Sequence, residues 1–420
     1  MKTKAVRLHG ENDLRLDTFE LPEMQEDQVL VKLMTDSVCM SSWKLSQQGK
    51  KHKRVVNDLK EPVIIGHEMC GTIVKVGDKW KDKYKAGQKF TIQPSLNYKN
   101  TNLTVGYSYP DFGGDSTYSI IPSEVMEMGC LIPVRSDSFF QCSLTEPVSC
   151  VIAGFNRMYH TFTKNHSHVM GVKEGGNLII MGACGPMGLE AIDYAMQLDP
   201  GPSTVVCTDI SEERLARAEN IFSDREHYGK KLVFFNSVKS ADVVGDLMDL
   251  TDGHGYDDVL IFTPVKSVIE QGDKILGQDG CLLFFAGPVD HELSAEINMY
   301  NIHYAFTHYV GYSGCTNDDF MKAIELTEQG RISPSLMVTH VGGLDSAAET
   351  TLNLPKIPGG KKLIYTQIDM PLTAIDDFEK LGQTDPLFAR LAETCKNNHN
   401  CWNAEAEKIL LDHFQVNTNA

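Results

Sequence analysis

Side chains of the three types that hold zinc occur in three short segments of the first 150 residues: Cys39, the run Gly66-His67-Glu68, and Thr145-Glu146-Pro147. A catalytic zinc takes three such protein ligands and keeps a further position open for water or substrate. Taken singly, each residue has a plainer reading, since a lone cysteine is a small buried hydrophobe and a lone histidine a satisfied interior residue. The case for a metal site rests on the company these residues keep. His67 and Glu68 lie in a run from Glu61 to Gly77 whose end, Gly71-Thr72-Ile73-Val74-Lys75-Val76-Gly77, reads as a strand.

A second constellation is Gly182-Ala183-Cys184-Gly185-Pro186-Met187-Gly188, placed between a strand-like run at 177–181 and a helical run at 189–198. A glycine turn there lets backbone amides and the helix N-terminus approach a pyrophosphate. The next apolar run ends in Asp209, about twenty residues on, where a carboxylate accepts both ribose hydroxyls and repels a 2′-phosphate. This favours NAD(H) over NADP, with Arg214 as a cation that leaves room for NADP. Capping of the helical run from Ser211 is the simpler role for Asp209.

These residues need two kinds of scaffold. Residues 1–150 carry short Val/Ile/Leu runs, such as 28–34 and 88–92, between Gly, Pro and Asp, and predict a mostly β domain. From residue 176, apolar runs at 178–181, 205–207, 259–262 and 282–285 alternate with helical patterns and predict buried parallel strands of an α/β, doubly wound domain. A strand at 281–285, placed near the edge of that sheet, suggests a homodimer or homotetramer.

Composition bounds the function classes. A length of 420 residues suggests two domains. With 39 basic against 56 acidic side chains the formal net charge is -17, which argues against nucleic acid and anionic membrane as partners. The N-terminus has no signal-peptide core, no apolar run reaches membrane-spanning length, and eleven cysteines without repeated spacing fit a reducing compartment, so a cytoplasmic protein is expected.

The segment around Gly66-His67-Glu68, with its trailing glycine and valine pattern, resembles the zinc-dependent medium-chain alcohol and polyol dehydrogenases, and the resemblance extends over residues 1–368. It implies a GroES-like catalytic domain at 1–150, a Rossmann NAD-binding domain at 151–309, a return to the catalytic domain at 310–368 and a helical extension at 369–420. It makes Ser41, two positions beyond Cys39, a proton relay, and zinc the Lewis acid on the reacting oxygen. Leu144-Thr145-Glu146-Pro147 resembles the Glu-Pro segment of sorbitol-type enzymes, so Glu146 is implied as a direct or water-mediated ligand beside Cys39 and His67. Glu68 is then an exchangeable neighbour, and Cys150 a rival ligand.

The sequence departs from the family pattern in two places. Ala183 stands where the family's first turn glycine is usual, so that Gly182 would have to serve, and no cysteine lies between Phe90 and Gly129, which predicts one catalytic zinc and no structural one. In the extension, Asp385-Pro386 and Asn403 predict helices at 387–396 and 404–414. This extension and the Cys39-Met40-Ser41-Ser42 and Glu146-Pro147 segments look like the L-sorbose 1-phosphate reductase branch, which implies a polyol or sugar phosphate as substrate. Lys44, Lys50, Lys51, His52, Lys53 and Arg54 are the densest basic run; they read first as a solvated loop and second as a phosphate receiver. The alternative to an enzyme is a dinucleotide-sensing or structural protein that has kept the fold without the catalysis.

Overall fold

The computed structural model describes every residue of the chain except 163, 226, 419 and 420, so the last two residues of the predicted extension lie outside it. The chain forms two units, Met1–Pro147 with Val338–Ala420, and Val148–Met337.

The first unit is built on an eight-stranded sheet. Its central strand, Val29–Val38, pairs antiparallel with Met69–Val76 on one side and with Lys361–Tyr365 on the other. Both faces of Val29–Val38 are covered, so its apolar residues and also Lys32, Thr35, Asp36 and Ser37 are buried. One core gathers Val29, Val31, Leu33, Met69, Ile73, Phe90 and Ile92. A second, around Val6, Leu8, Val38, Leu45, Val63, Ile65 and Ile364, joins this sheet to the smaller sheet that contains Lys2–Gly10.

The second unit is a six-stranded parallel sheet in the order Lys231–Asn236, Thr204–Asp209, Asn177–Met181, Tyr256–Ile261, Leu276–Phe284, His308–Gly311. This is the doubly wound order, with the reversal beside Asn177–Met181. His308–Gly311 hydrogen-bonds to the outer side of Leu276–Phe284, so the run 281–285 lies one strand in from the edge of the sheet. For the same reason the chain does not leave this unit at 310: His308–Gly311 and the helix Asn317–Glu328 remain in it, and the crossing falls at Val338.

Residues 369–418 fold onto the first unit. Pro386–Lys396 begins with Asp385 accepting from the Leu387 amide, and Ala404–His413 with Asn403 accepting from the Ala406 amide. Leu387, Leu391, Trp402, Ala406 and Leu410 are buried.

Candidate active site

Strand register assembles the metal-binding side chains. The antiparallel pairing Asp36↔Met69, continued along both chains, sets Cys39 opposite the Gly66-His67 turn. On the other flank the pairing Val38↔Lys362 sets Lys361 opposite Cys39. Cys39 thus stands where the central strand ends and the helix Met40–Gln48 begins, with His67 and Glu68 on one neighbour and Lys361 on the other. Gly66 has φ +91°, and a Cβ there would meet the Asp115 amide nitrogen at 2.6 Å and Asp36 Oδ2 at 2.8 Å, so only glycine makes this turn. The Glu68 amide donates to Asp36 Oδ1 at 3.0 Å, which fixes the turn from below.

Cys39, His67 and Glu68 each offer a ligand atom, and these atoms lie within 4.8 Å of one another. Among the described residues this is the one such cluster of His, Cys, Asp and Glu. Burial pushes the His67 imidazole down to about 4, so the ring is neutral at physiological pH, as a metal ligand must be. Part of Cys39 stays exposed, yet loss of water around its sulfur pushes the thiol up to about 11. A thiol, a neutral imidazole and a carboxylate converging at this distance suit zinc, which deprotonates a coordinating thiol outright.

Ser41 Oγ donates to Cys39 Sγ at 3.0 Å and lies 3.1 Å from His67 Nε2, while Ser42 Oγ lies 3.5 Å from His67 Nδ1. Glu68 is bound by Lys361, whose ammonium reaches both carboxylate oxygens at 2.5 and 2.6 Å, and by the Ser37 hydroxyl. Burial alone would lower the Lys361 pKa, but the charges of Glu68 and Cys39 hold it raised. Burial likewise works to raise Glu68, and Lys361 outweighs it, so this is a true ion pair.

Glu146 lies at the start of the helix Thr145–Arg157, half-buried. Its charge is felt at Cys39, Lys361 and Tyr107, but its carboxylate is not one of the clustered ligand atoms. Cys150 belongs to the other unit and is likewise outside the cluster.

Two members of the site were missed in the sequence. Lys361 had a signal, since two adjacent lysines open an otherwise apolar strand, a local conflict that asks for buried partners. Tyr107 had none: its ring is buried against His67, 5.2 Å between centroids, and its hydroxyl has no hydrogen-bond partner.

In the second unit the glycine turn follows Asn177–Met181 directly. Gly182 takes φ +80°, and its amide and that of Ala183 both donate to the Thr208 carbonyl, so the turn closes with alanine at the second position. Gly185 precedes Pro186, the first residue of the helix Pro186–Gln197, and a Cβ on Gly185 would meet nothing within 4 Å. At Gly188 a Cβ would sit 2.3 Å from the Ala183 carbonyl oxygen, which makes glycine the residue for close packing of helix on strand. Met187 is half-buried beside them. Asp209, at the end of Thr204–Asp209, accepts from the Ile210 and Ser211 amides at 2.8 and 2.9 Å and pairs with Arg214 at 3.0 Å. Ser211, not Asp209, caps the following helix.

A family model described as an alcohol dehydrogenase GroES-like domain matches residues 25–128, and one described as a zinc-binding dehydrogenase matches residues 186–329. A mannitol-1-phosphate 5-dehydrogenase of Aliivibrio fischeri is 47% identical over 99% of this chain and 99% of its own length. The chain belongs to the zinc-dependent medium-chain polyol dehydrogenases.

An L-sorbose 1-phosphate reductase of Klebsiella pneumoniae is 44% identical over 98% of both chains. The fold is also that of 2R,3R-butanediol dehydrogenase from Bacillus subtilis, with a TM-score of 0.70 at 23% identity over 87% of this chain and 99% of that one. As a member of this family the chain is an oxidoreductase with a GroES-like and a Rossmann unit, and no finding favours the non-catalytic alternative. No helix among the described residues is long and apolar enough to cross a membrane.

Proposed function

We propose that this polyol dehydrogenase transfers hydride reversibly between NAD(H) and a polyol and ketose pair that carries a phosphate, such as L-sorbose 1-phosphate. The observation that carries the reading is the Ser41 hydroxyl, set against both the Cys39 sulfur and the His67 ring beside Glu68. Two relatives that match nearly the whole chain and are named for 1-phosphorylated substrates support the substrate class.

In this reading Cys39, His67 and Glu68 hold the zinc, and Glu146 is the further carboxylate, acting directly or through water. Zinc supplies Lewis acidity, which lowers the pKa of an alcohol in oxidation and polarises a carbonyl in reduction. Ser41 relays the alcohol proton outward, and Lys361 neutralises Glu68 and so sets how far that carboxylate is free for the metal. Gly182, Gly185, Pro186, Met187 and Gly188 receive the pyrophosphate, with open space above Gly185 for it. Asp209 receives the ribose hydroxyls and favours NAD(H), while Arg214 on that carboxylate tempers the discrimination against NADP.

The test is NADH oxidation with fructose, sorbose and their 1-phosphates, on wild type and Ser41→Ala, with zinc content measured on the same samples. Turnover of a phosphorylated ketose is expected, with kcat lowered ~10²- to 10⁴-fold in the variant at unchanged zinc. Zinc-replete protein that turns over no polyol or ketose would refute the reading, and undiminished kcat in the variant would remove Ser41 from it.

A further inference from the structure

Of the basic run at 44–54, His52 and Arg54 lie against Tyr107, the aromatic neighbour of His67. Lys51 pairs with Glu11 at 2.7 Å on the surface, and Lys50 and Lys53 are exposed. Arg54 differs from them: its guanidinium carbon lies 5.0 Å from the centroid of the Tyr107 ring, and His67 neighbours the same ring at 5.2 Å between centroids. The guanidinium is therefore no farther from the His67 ring than these two distances together, the scale of a hexose phosphate.

The position of Arg54 is built into the fold. Its carbonyl accepts from Ser108 Oγ at 2.7 Å, its amide donates to His52 Nδ1 at 3.3 Å, and the next residue, Val55, is buried in the core that contains Tyr107. His52 stacks on Tyr107 at 5.3 Å, so imidazole and guanidinium share one aromatic seat. Burial, then Arg54 and Lys53, push His52 down to about 4, which leaves Arg54 as the charged member of the pair.

Among the described residues no carboxylate lies within ion-pairing distance of the Arg54 guanidinium, in a chain with 56 acidic against 39 basic side chains. Beside it the Tyr107 hydroxyl is buried without a hydrogen-bond partner, near Cys39, Ser41 and Glu146. A planar cation with free donors on an aromatic face next to an unused hydroxyl is the chemistry that receives a phosphate monoester joined to a polyol chain.

We propose that Arg54 binds the substrate phosphate, with the Tyr107 hydroxyl hydrogen-bonding the adjoining carbon chain, an assignment that rests on the phosphorylated substrate class proposed above. It makes Arg54 a specificity-determining residue, separate from the groups that handle the reacting oxygen.

The experiment is calorimetric binding of fructose, fructose 1-phosphate, fructose 6-phosphate, sorbose and sorbose 1-phosphate to the zinc-loaded enzyme, followed by kcat/KM with NADH. Wild type, Arg54→Gln, Arg54→Lys and Lys53→Gln are compared. For the best phosphorylated ketose, Arg54→Gln should lower the preference over its unphosphorylated parent ~30- to 100-fold, the worth of a charge-assisted bidentate contact. Arg54→Lys should recover part of that preference, because it keeps the charge without the fork, and Lys53→Gln should leave it intact. A wild type that prefers phosphorylated ketoses together with an Arg54→Gln variant that keeps the preference would overturn this assignment and leave the substrate class standing. A wild type that binds phosphorylated and plain ketoses alike, or neither, would overturn both.

Discussion

Glu68 and Glu407 are both buried carboxylates of the first unit, 1% and 3% exposed, and they are held in different ways. Glu68 has a full cation, Lys361, on both oxygens. Glu407, in the extension, has dipoles: the Phe139 and Phe140 amides donate to it at 2.6 and 2.9 Å, and the Tyr365 hydroxyl at 2.9 Å. Trp402 Nε1 donates in turn to Tyr365 at 2.8 Å. Burial raises the Glu407 pKa against the opposing pull of those hydrogen bonds and Lys89, whereas Lys361 holds Glu68 lowered. The ion pair keeps a carboxylate charged beside a metal site, and the amide cradle uses a carboxylate as a staple. Glu407 caps the helix Phe139–Ser143, which leads directly into Glu146, so the extension is anchored on the segment that carries a candidate ligand.

The comparison breaks first at Lys361. Lys361→Met leaves Glu68 buried without a counter-charge, and the metal-free protein should lose ~3–5 kcal/mol of stability in urea. A loss below ~1 kcal/mol would mean that Glu68 is neutralised by other groups. A smaller cost is expected at the staple: Glu407→Ala strands two buried amides and should cost ~2–3 kcal/mol while zinc content holds. Equal costs at the two sites would erase the distinction.

The sharpest contrast is in pH dependence. A raised pKa means that folded Glu407 binds its proton more tightly than the unfolded chain does, so its contribution is fully present below about 4.5 and is lost as pH rises through the raised value. Urea midpoints between pH 4 and 8 should therefore show a decline in wild type that is absent in Glu407→Gln. Parallel profiles for the two proteins would refute the staple's protonation.

The parts legible in the sequence were those fixed by local chemistry. Cys39, His67 and Glu68 stood out because a glycine turn and a strand flank them, and the two helices of the extension because Asp385, Pro386 and Asn403 mark their starts. What escaped depends on partners distant in sequence. Lys361 meets Glu68 across 293 residues, and Glu407 sits in a helix where a glutamate ordinarily faces water. The strand Lys231–Asn236 carries the apolar run Leu232-Val233-Phe234-Phe235 and was passed over all the same, whereas His308–Gly311 is only four residues long and shows no such run. Arg54 was visible only as one charge in a run of six, because nothing local told it from Lys53.

The central claim is that Cys39, His67 and Glu68 form the zinc site of this dehydrogenase, and zinc per chain by elemental analysis on wild type, Cys39→Ser and Glu407→Gln tests it most directly. The account predicts about one zinc per chain in wild type, most of it lost in Cys39→Ser and retained in Glu407→Gln, since a catalytic zinc depends on each of its three protein ligands. Wild type prepared with zinc present but holding none, or Cys39→Ser holding as much as wild type, would contradict it.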